Sequence, residues 1–144
     1  MNSALLSFIR THSDWKDVLS KPPYNLAIKE DPEYPNFFIF SYNQIESDFS
    51  NPVVKDSRGV IIYISNPTIY IACNPFSKFF NYGEANAAKV DWNTLEVLEK
   101  IDGSLIKLWY NLHNKKWMIS TNGTIDAFKT DLPDGTGFFG DLAY

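Results

Sequence analysis

One cysteine, Cys73, stands in the whole chain, so an internal disulfide is excluded and a reducing compartment is implied. It sits in an apolar run and reads as a small core residue. Arginine is almost as scarce, with only Arg10 and Arg58. Net charge is −4, which excludes a coat protein with a uniformly basic face but leaves room for local clusters of cations. Apolar runs are all too short for a membrane span. Ala4–Ile9 lacks a basic leader and is too short for a secretory signal, so the soluble cytoplasm is the expected location. The two histidines, His12 and His113, do not cluster with Cys73 at metal-ligand spacing, and no metal site is expected from them. Repeats, low-complexity stretches and linkers are also missing, which leaves 144 residues as a single domain or part of one.

Aromatic residues, by contrast, are abundant at 16%, a content that favours strands and stacking surfaces. Residues 2–20 read as helical, with Leu5, Phe8 and Ile9 on one face. Ser13 is placed to cap a second helix carrying Trp15, Val18 and Leu19, and Pro22-Pro23 ends the region. Strand patterns follow. The stretches 25–29 and 37–41 read as one hairpin, and 60–64 with 68–72 as another. A third cluster covers 95–99, 104–110 and 117–121, with His113-Asn114-Lys115 as a turn. The expected class is α+β, with N-terminal helices followed by antiparallel strands.

Chemistry concentrates in Lys100-Ile101-Asp102-Gly103-Ser104. The strand-like Leu95-Glu96-Val97-Leu98 before it would present the lysine amine at a sheet edge. The tight Asp-Gly turn beyond lets backbone amides approach a phosphate closely. That suits a lysine nucleophile that takes up a nucleotide on its side-chain nitrogen. Upstream lie Ile39-Phe40-Ser41-Tyr42-Asn43, Ser57-Arg58-Gly59-Val60 and Pro75-Phe76-Ser77-Lys78-Phe79-Phe80-Asn81-Tyr82-Gly83-Glu84; downstream lies Ser120-Thr121-Asn122-Gly123-Thr124. In order and spacing these segments, from about Phe37 to Phe128, resemble the N-terminal half of phage-type ATP-dependent RNA ligases of the T4 RNA ligase 1 kind.

The resemblance implies the front half of a nucleotidyltransferase domain of the ATP-grasp-like ligase type. It also implies ATP and Mg²⁺ as cofactors, RNA ends bearing a 5′-phosphate and a 3′-hydroxyl as partners, and Lys100 as the residue that carries AMP. Arg58 and Lys78 would sit around the phosphates, and Phe80 would pack against the base. Glu99 would offer its backbone to the adenine, Asp102 would organise the turn, and Gly103 would keep it small. Asn122 stands where well-studied relatives carry a basic residue; it can donate a hydrogen bond to a phosphate or ribose oxygen but adds no charge. Later family motifs, one bearing a glutamate and one Lys-x-Lys, do not occur in residues 1–144. The chain is therefore expected to be the N-terminal part of an RNA ligase adenylyltransferase domain. Two other readings stay open: a catalytically incomplete fragment, or half of a split enzyme needing a second polypeptide, and a DNA ligase or capping-type nucleotidyltransferase. Lys-Phe-Phe-Asn at 78–81 points away from the last. Gly135-Thr136-Gly137-Phe138-Phe139-Gly140 fits a dinucleotide-binding pattern only literally, without a surrounding βαβ unit, and reads as a loop.

Overall fold

Ser3 opens the first helix by accepting a hydrogen bond from the Leu6 amide at 3.2 Å, as a capping serine should. A computed structural model describes residues 3–143, so residue 2, the expected start of the helical stretch, and Tyr144 lie outside the described residues. Helix α1 spans Ala4–Thr11 and α2 spans Trp15–Leu19, and they bury Leu5, Ile9 and Leu19. Strands β1 (Leu26–Glu30) and β2 (Phe37–Tyr42) follow, then a short helix α3 (Pro52–Asp56), β3 (Arg58–Ser65) and β4 (Thr68–Cys73). Strands β5 (Lys107–Asn111) and β6 (Lys116–Ser120) come next, followed by 3₁₀ turns at Ala127–Lys129 and Phe139–Ala143. Asn51 caps α3 through the Val53 amide at 2.9 Å, and Pro52 takes the first helical position. Asp56, at the far end of α3, accepts from the Ser3 hydroxyl at 3.0 Å and the Ala4 amide at 2.8 Å, which ties the two helices together.

The first four strands pair antiparallel in the order β1-β2-β3-β4, and β5 with β6 forms a separate hairpin. Side chains alternate across a strand, and here both faces are covered. Phe38, Phe40, Val60 and Ile62 pack with Leu5, Ile9, Leu19, Val53 and Val54 on the helical side. Phe37, Ile39, Ile61 and Cys73 meet Trp109, Met118 and Ile125 on the hairpin side. Covering both faces explains why β2 and β3 read as nearly continuous apolar runs.

One expected strand is absent. Residues 95–99 are irregular, and Val97 and Leu98 are exposed to solvent. Their apolar pattern finds no neighbouring strand to satisfy the backbone, so it does not form a ladder. β5 accordingly starts at Lys107 rather than near Ser104.

Candidate functional site

Pairing between β2 and β3 slips at one point: Phe40 faces Val60 but Ser41 faces Arg58, leaving Gly59 as an extra residue. Its φ of +76° is the left-handed conformation that a glycine bulge requires. The bulge is also crowded. A Cβ at Gly59 would lie 2.7 Å from the Asn122 Cα and 3.0 Å from the Asn122 carbonyl oxygen. The Ser41 hydroxyl donates to that carbonyl at 2.7 Å, and the buried Lys107 ammonium donates to the Gly59 carbonyl. Three distant segments are thereby pinned together, and a cavity of about 310 Å³ opens among Ser41, Tyr42, Arg58, Asn122 and Gly123. Arg58 Nη1 and Asn122 Oδ1 are buried without a hydrogen-bond partner. Such groups cost about 1–3 kcal/mol each, a cost that a ligand reaching them removes.

Arg58 and Lys78 are held by rings rather than by carboxylates. The Arg58 guanidinium carbon lies 4.4 Å from the Phe76 ring centre and 4.9 Å from that of Phe79. Lys78 Nζ lies 4.6 Å from the Phe49 ring, 5.2 Å from Tyr42 and 5.2 Å from Phe80. It also donates a long hydrogen bond to Gln44 Oε1 at 3.4 Å. Among the described residues, no ion pair involves Arg58 or Lys78. Lys78 and Phe80 line a second cavity of about 350 Å³ with Gln44, Phe49, Asn81 and Glu84. Tyr42 connects the two cavities, since it lines the first and its ring faces Lys78.

A third cavity of about 310 Å³ is lined by Gly103, Ser104 and Leu105 together with Thr121, Asn122 and Gly123. The fold therefore gathers Arg58, Lys78, Phe80, Gly103 and Asn122 around neighbouring hollows. It does not gather Glu99, Lys100 or Asp102. All three are exposed, and Lys100 Nζ pairs with Asp102 Oδ1 at 2.6 Å while their side chains are 72% and 91% exposed. Lys100 thus lies in water, paired with a carboxylate, rather than in the hollows that hold its expected partners. An ion pair this exposed is easily exchanged for water. Among the described residues, no cluster of three or more His, Cys, Asp or Glu side chains is placed to hold a metal ion.

Lys107 was not among the residues expected from sequence. Its inward position follows from period-two alternation in β5, where Lys107, Trp109 and Asn111 share the buried face. Burial pushes its ammonium down from 10.5 to about 8, against a smaller opposing pull from Cys73. Burial pushes the Cys73 thiol up. Below pH 8 the folded and unfolded chains both hold the Lys107 proton, and the folded state bears the full cost of the buried charge. Between 8 and 10.5 the unfolded chain holds more protons, so this residue's contribution to stability rises with pH and is complete above 10.5. Relative to Lys107→Met, the native chain is expected to gain about 3 kcal/mol across that window in urea unfolding, the equivalent of the roughly 2.5-unit depression. Taking the difference cancels the titrating tyrosines common to both proteins; a pH-independent difference would contradict a buried amine with a lowered pKa.

A family model described as RNA ligase matches residues 56–136, more than half of the chain, and the match includes Arg58, Lys78, Phe80, Lys100, Gly103, Lys107 and Asn122. The chain is 30% identical over 123 residues to a protein of Autographa californica nuclear polyhedrosis virus named "Putative bifunctional polynucleotide kinase/RNA ligase". That alignment covers 78% of this chain and 17% of the viral protein. No solved structure matches the chain.

Proposed function

Because the chain belongs to the T4 RNA ligase 1-like family of RNA ligases, we propose that it forms the N-terminal part of an adenylyltransferase domain that captures AMP on Lys100. The observation that carries this reading is that Arg58 and Asn122 line one cavity, while Lys78 lines a second one joined to it through Tyr42. Among the described residues, neither cation is neutralised by an ion pair, and Arg58 Nη1 and Asn122 Oδ1 point to a missing polar partner. A nucleoside triphosphate supplies what they lack: anionic oxygens for the guanidinium fork and the ammonium, and a ribose hydroxyl to donate to the amide oxygen of Asn122. Phe80 offers a ring beside Lys78 on the same cavity wall.

In the proposed reaction the neutral Lys100 amine attacks the α-phosphorus of ATP. A nitrogen–phosphorus bond forms, the bond to the β-phosphate oxygen breaks, pyrophosphate leaves with the electron pair, and the ammonium proton goes to solvent. Arg58 and Lys78 stabilise the charge that builds on the phosphate oxygens. Mg²⁺ entering with the triphosphate would neutralise and orient the leaving group. AMP then passes to an RNA 5′-phosphate, and a 3′-hydroxyl displaces it to seal the strand. The family favours RNA ends over DNA ends or caps as the substrate. One observation favours a second reading, a catalytically incomplete fragment: Lys100 stands outside the hollows that hold its partners.

Isothermal titration with ATP tests the site. Arg58→Ala is expected to weaken binding about tenfold or more, since it removes charge-assisted hydrogen bonds worth roughly 1.5–3 kcal/mol. Asn122→Lys is expected to strengthen it severalfold by adding a cation beside the same cavity. Unchanged affinity in both variants would remove the phosphate role of this cavity.

A further inference from the structure

A phosphate-binding lysine meets two conflicting demands. Immobilising its long side chain costs rotamer entropy, so something must hold it before the ligand arrives. A carboxylate would hold it but would also cancel the charge the ligand needs. An aromatic face resolves the conflict, because the ring quadrupole attracts the ammonium without a formal negative charge.

The surroundings of Lys78 have this form. Phe49, Tyr42 and Phe80 all face its ammonium, at 4.6, 5.2 and 5.2 Å. The rings stand roughly perpendicular to one another: Tyr42 and Phe49 meet at 84° with centres 5.0 Å apart, and Phe49 and Phe80 at 80° and 6.1 Å. Perpendicular rings form a cup rather than a stack. The cup is anchored on both sides. The Tyr42 amide donates to the Ser57 carbonyl at 2.9 Å, and the Lys78 amide donates to the Lys55 carbonyl at 3.3 Å. Tyr42, Phe49, Lys78 and Phe80 are all half-buried, whereas the rings under Arg58, Phe76 and Phe79, are more than half exposed. Cation–π attraction strengthens as water is removed, so the Lys78 cup is the stronger of the two devices.

We infer that Tyr42 and Phe49 are positioning residues that hold the Lys78 side chain aimed into its cavity, ready for a phosphate of the nucleotide. This rests on the reading of Lys78 as a phosphate ligand. Neither ring needs to touch the nucleotide; each acts through the lysine.

A double-mutant cycle read by ATP titration separates the inference from its premise. Phe49→Leu keeps apolar volume but removes the ring, and is expected to weaken ATP binding about three- to tenfold in the native background. In a Lys78→Met background the same change is expected to have almost no effect. Tyr42→Leu should behave likewise, whereas Tyr42→Phe, which keeps a ring, should retain native affinity. Equal losses in both backgrounds, or no loss at all, would overturn the inference while leaving nucleotide binding intact. Native affinity in Lys78→Met alone would instead remove the premise, and the inference with it. A ligand-free measurement on the native protein guards against variants that do not fold. Ring currents should move the Lys78 ε-methylene protons upfield of those of the other lysines, and a position among the others would contradict the cup.

Discussion

Gly59→Ala is expected to destabilise the fold by about 3 kcal/mol and to weaken ATP binding at least tenfold. Two costs add. Alanine at a φ of +76° pays about 1–2 kcal/mol for the left-handed conformation. Its methyl group would also stand 2.7 Å from the Asn122 Cα and 3.0 Å from the Asn122 carbonyl oxygen, and backbone atoms cannot rotate away as a side-chain tip can. Relief requires the 121–124 turn to move outward, which stretches the hydrogen bond from Ser41 to Asn122, worth about 1 kcal/mol. That movement separates Arg58 from Asn122, so stability and affinity should fall together. Gly123→Ala is the control, since a Cβ there meets nothing within 4 Å. It should change stability by no more than about 0.5 kcal/mol. Urea unfolding compares the two variants and ATP titration follows Gly59→Ala; equal stability in the two, or native affinity in Gly59→Ala, would show that the bulge does not organise the site.

Much of this arrangement could be read from the chain, for identifiable reasons. The two hairpins around 37–41 and 60–72 were legible because β-branched and aromatic runs are separated by turn residues, and these runs pair locally. Helix α3 was not, because five residues containing Val53 and Val54 carry little helical signal, and its last residue, Asp56, is tied down by a tertiary contact with the start of α1. The stretch 95–99 has a strand's composition, yet composition says nothing about whether a partner strand is present. Motif order pointed to Arg58, Lys78, Phe80, Glu99, Lys100, Asp102, Gly103 and Asn122; the fold puts five of them on the walls of neighbouring hollows and leaves Glu99, Lys100 and Asp102 exposed outside them. Why they meet was hidden. Arg58 and Asn122 are joined by a bulge whose register depends on pairing across the sheet, and Phe49 reaches Lys78 from the loop after β2. Lys107 escaped notice because an inward lysine breaks the polar-outward rule, and only its carbonyl partner at Gly59 makes the position tolerable.

Lys100→Ala carries the largest expected effect of all, complete loss of covalent AMP capture. Two lysines compete for the role on physical grounds. Lys107 has the desolvated amine, lowered to about 8, but its nitrogen is buried and committed to the Gly59 carbonyl. Lys100 has the motif, an exposed side chain, and a place three residues before Gly103, which lines a cavity with Asn122. Its ion pair with Asp102 is exposed and easily exchanged for water. Accessibility is the reason Lys100 is the one proposed, because a nucleophile has to reach the phosphorus in line with the leaving group.

Intact-mass measurement after incubation with ATP and Mg²⁺, followed by peptide mapping of any adduct, tests this most directly. The account predicts a gain of one AMP, located on Lys100, retained in Lys107→Met and absent in Lys100→Ala. An adduct that persists in Lys100→Ala or maps to Lys107 would contradict the assignment of the nucleophile, and no adduct on the native chain would contradict self-adenylation by these 144 residues.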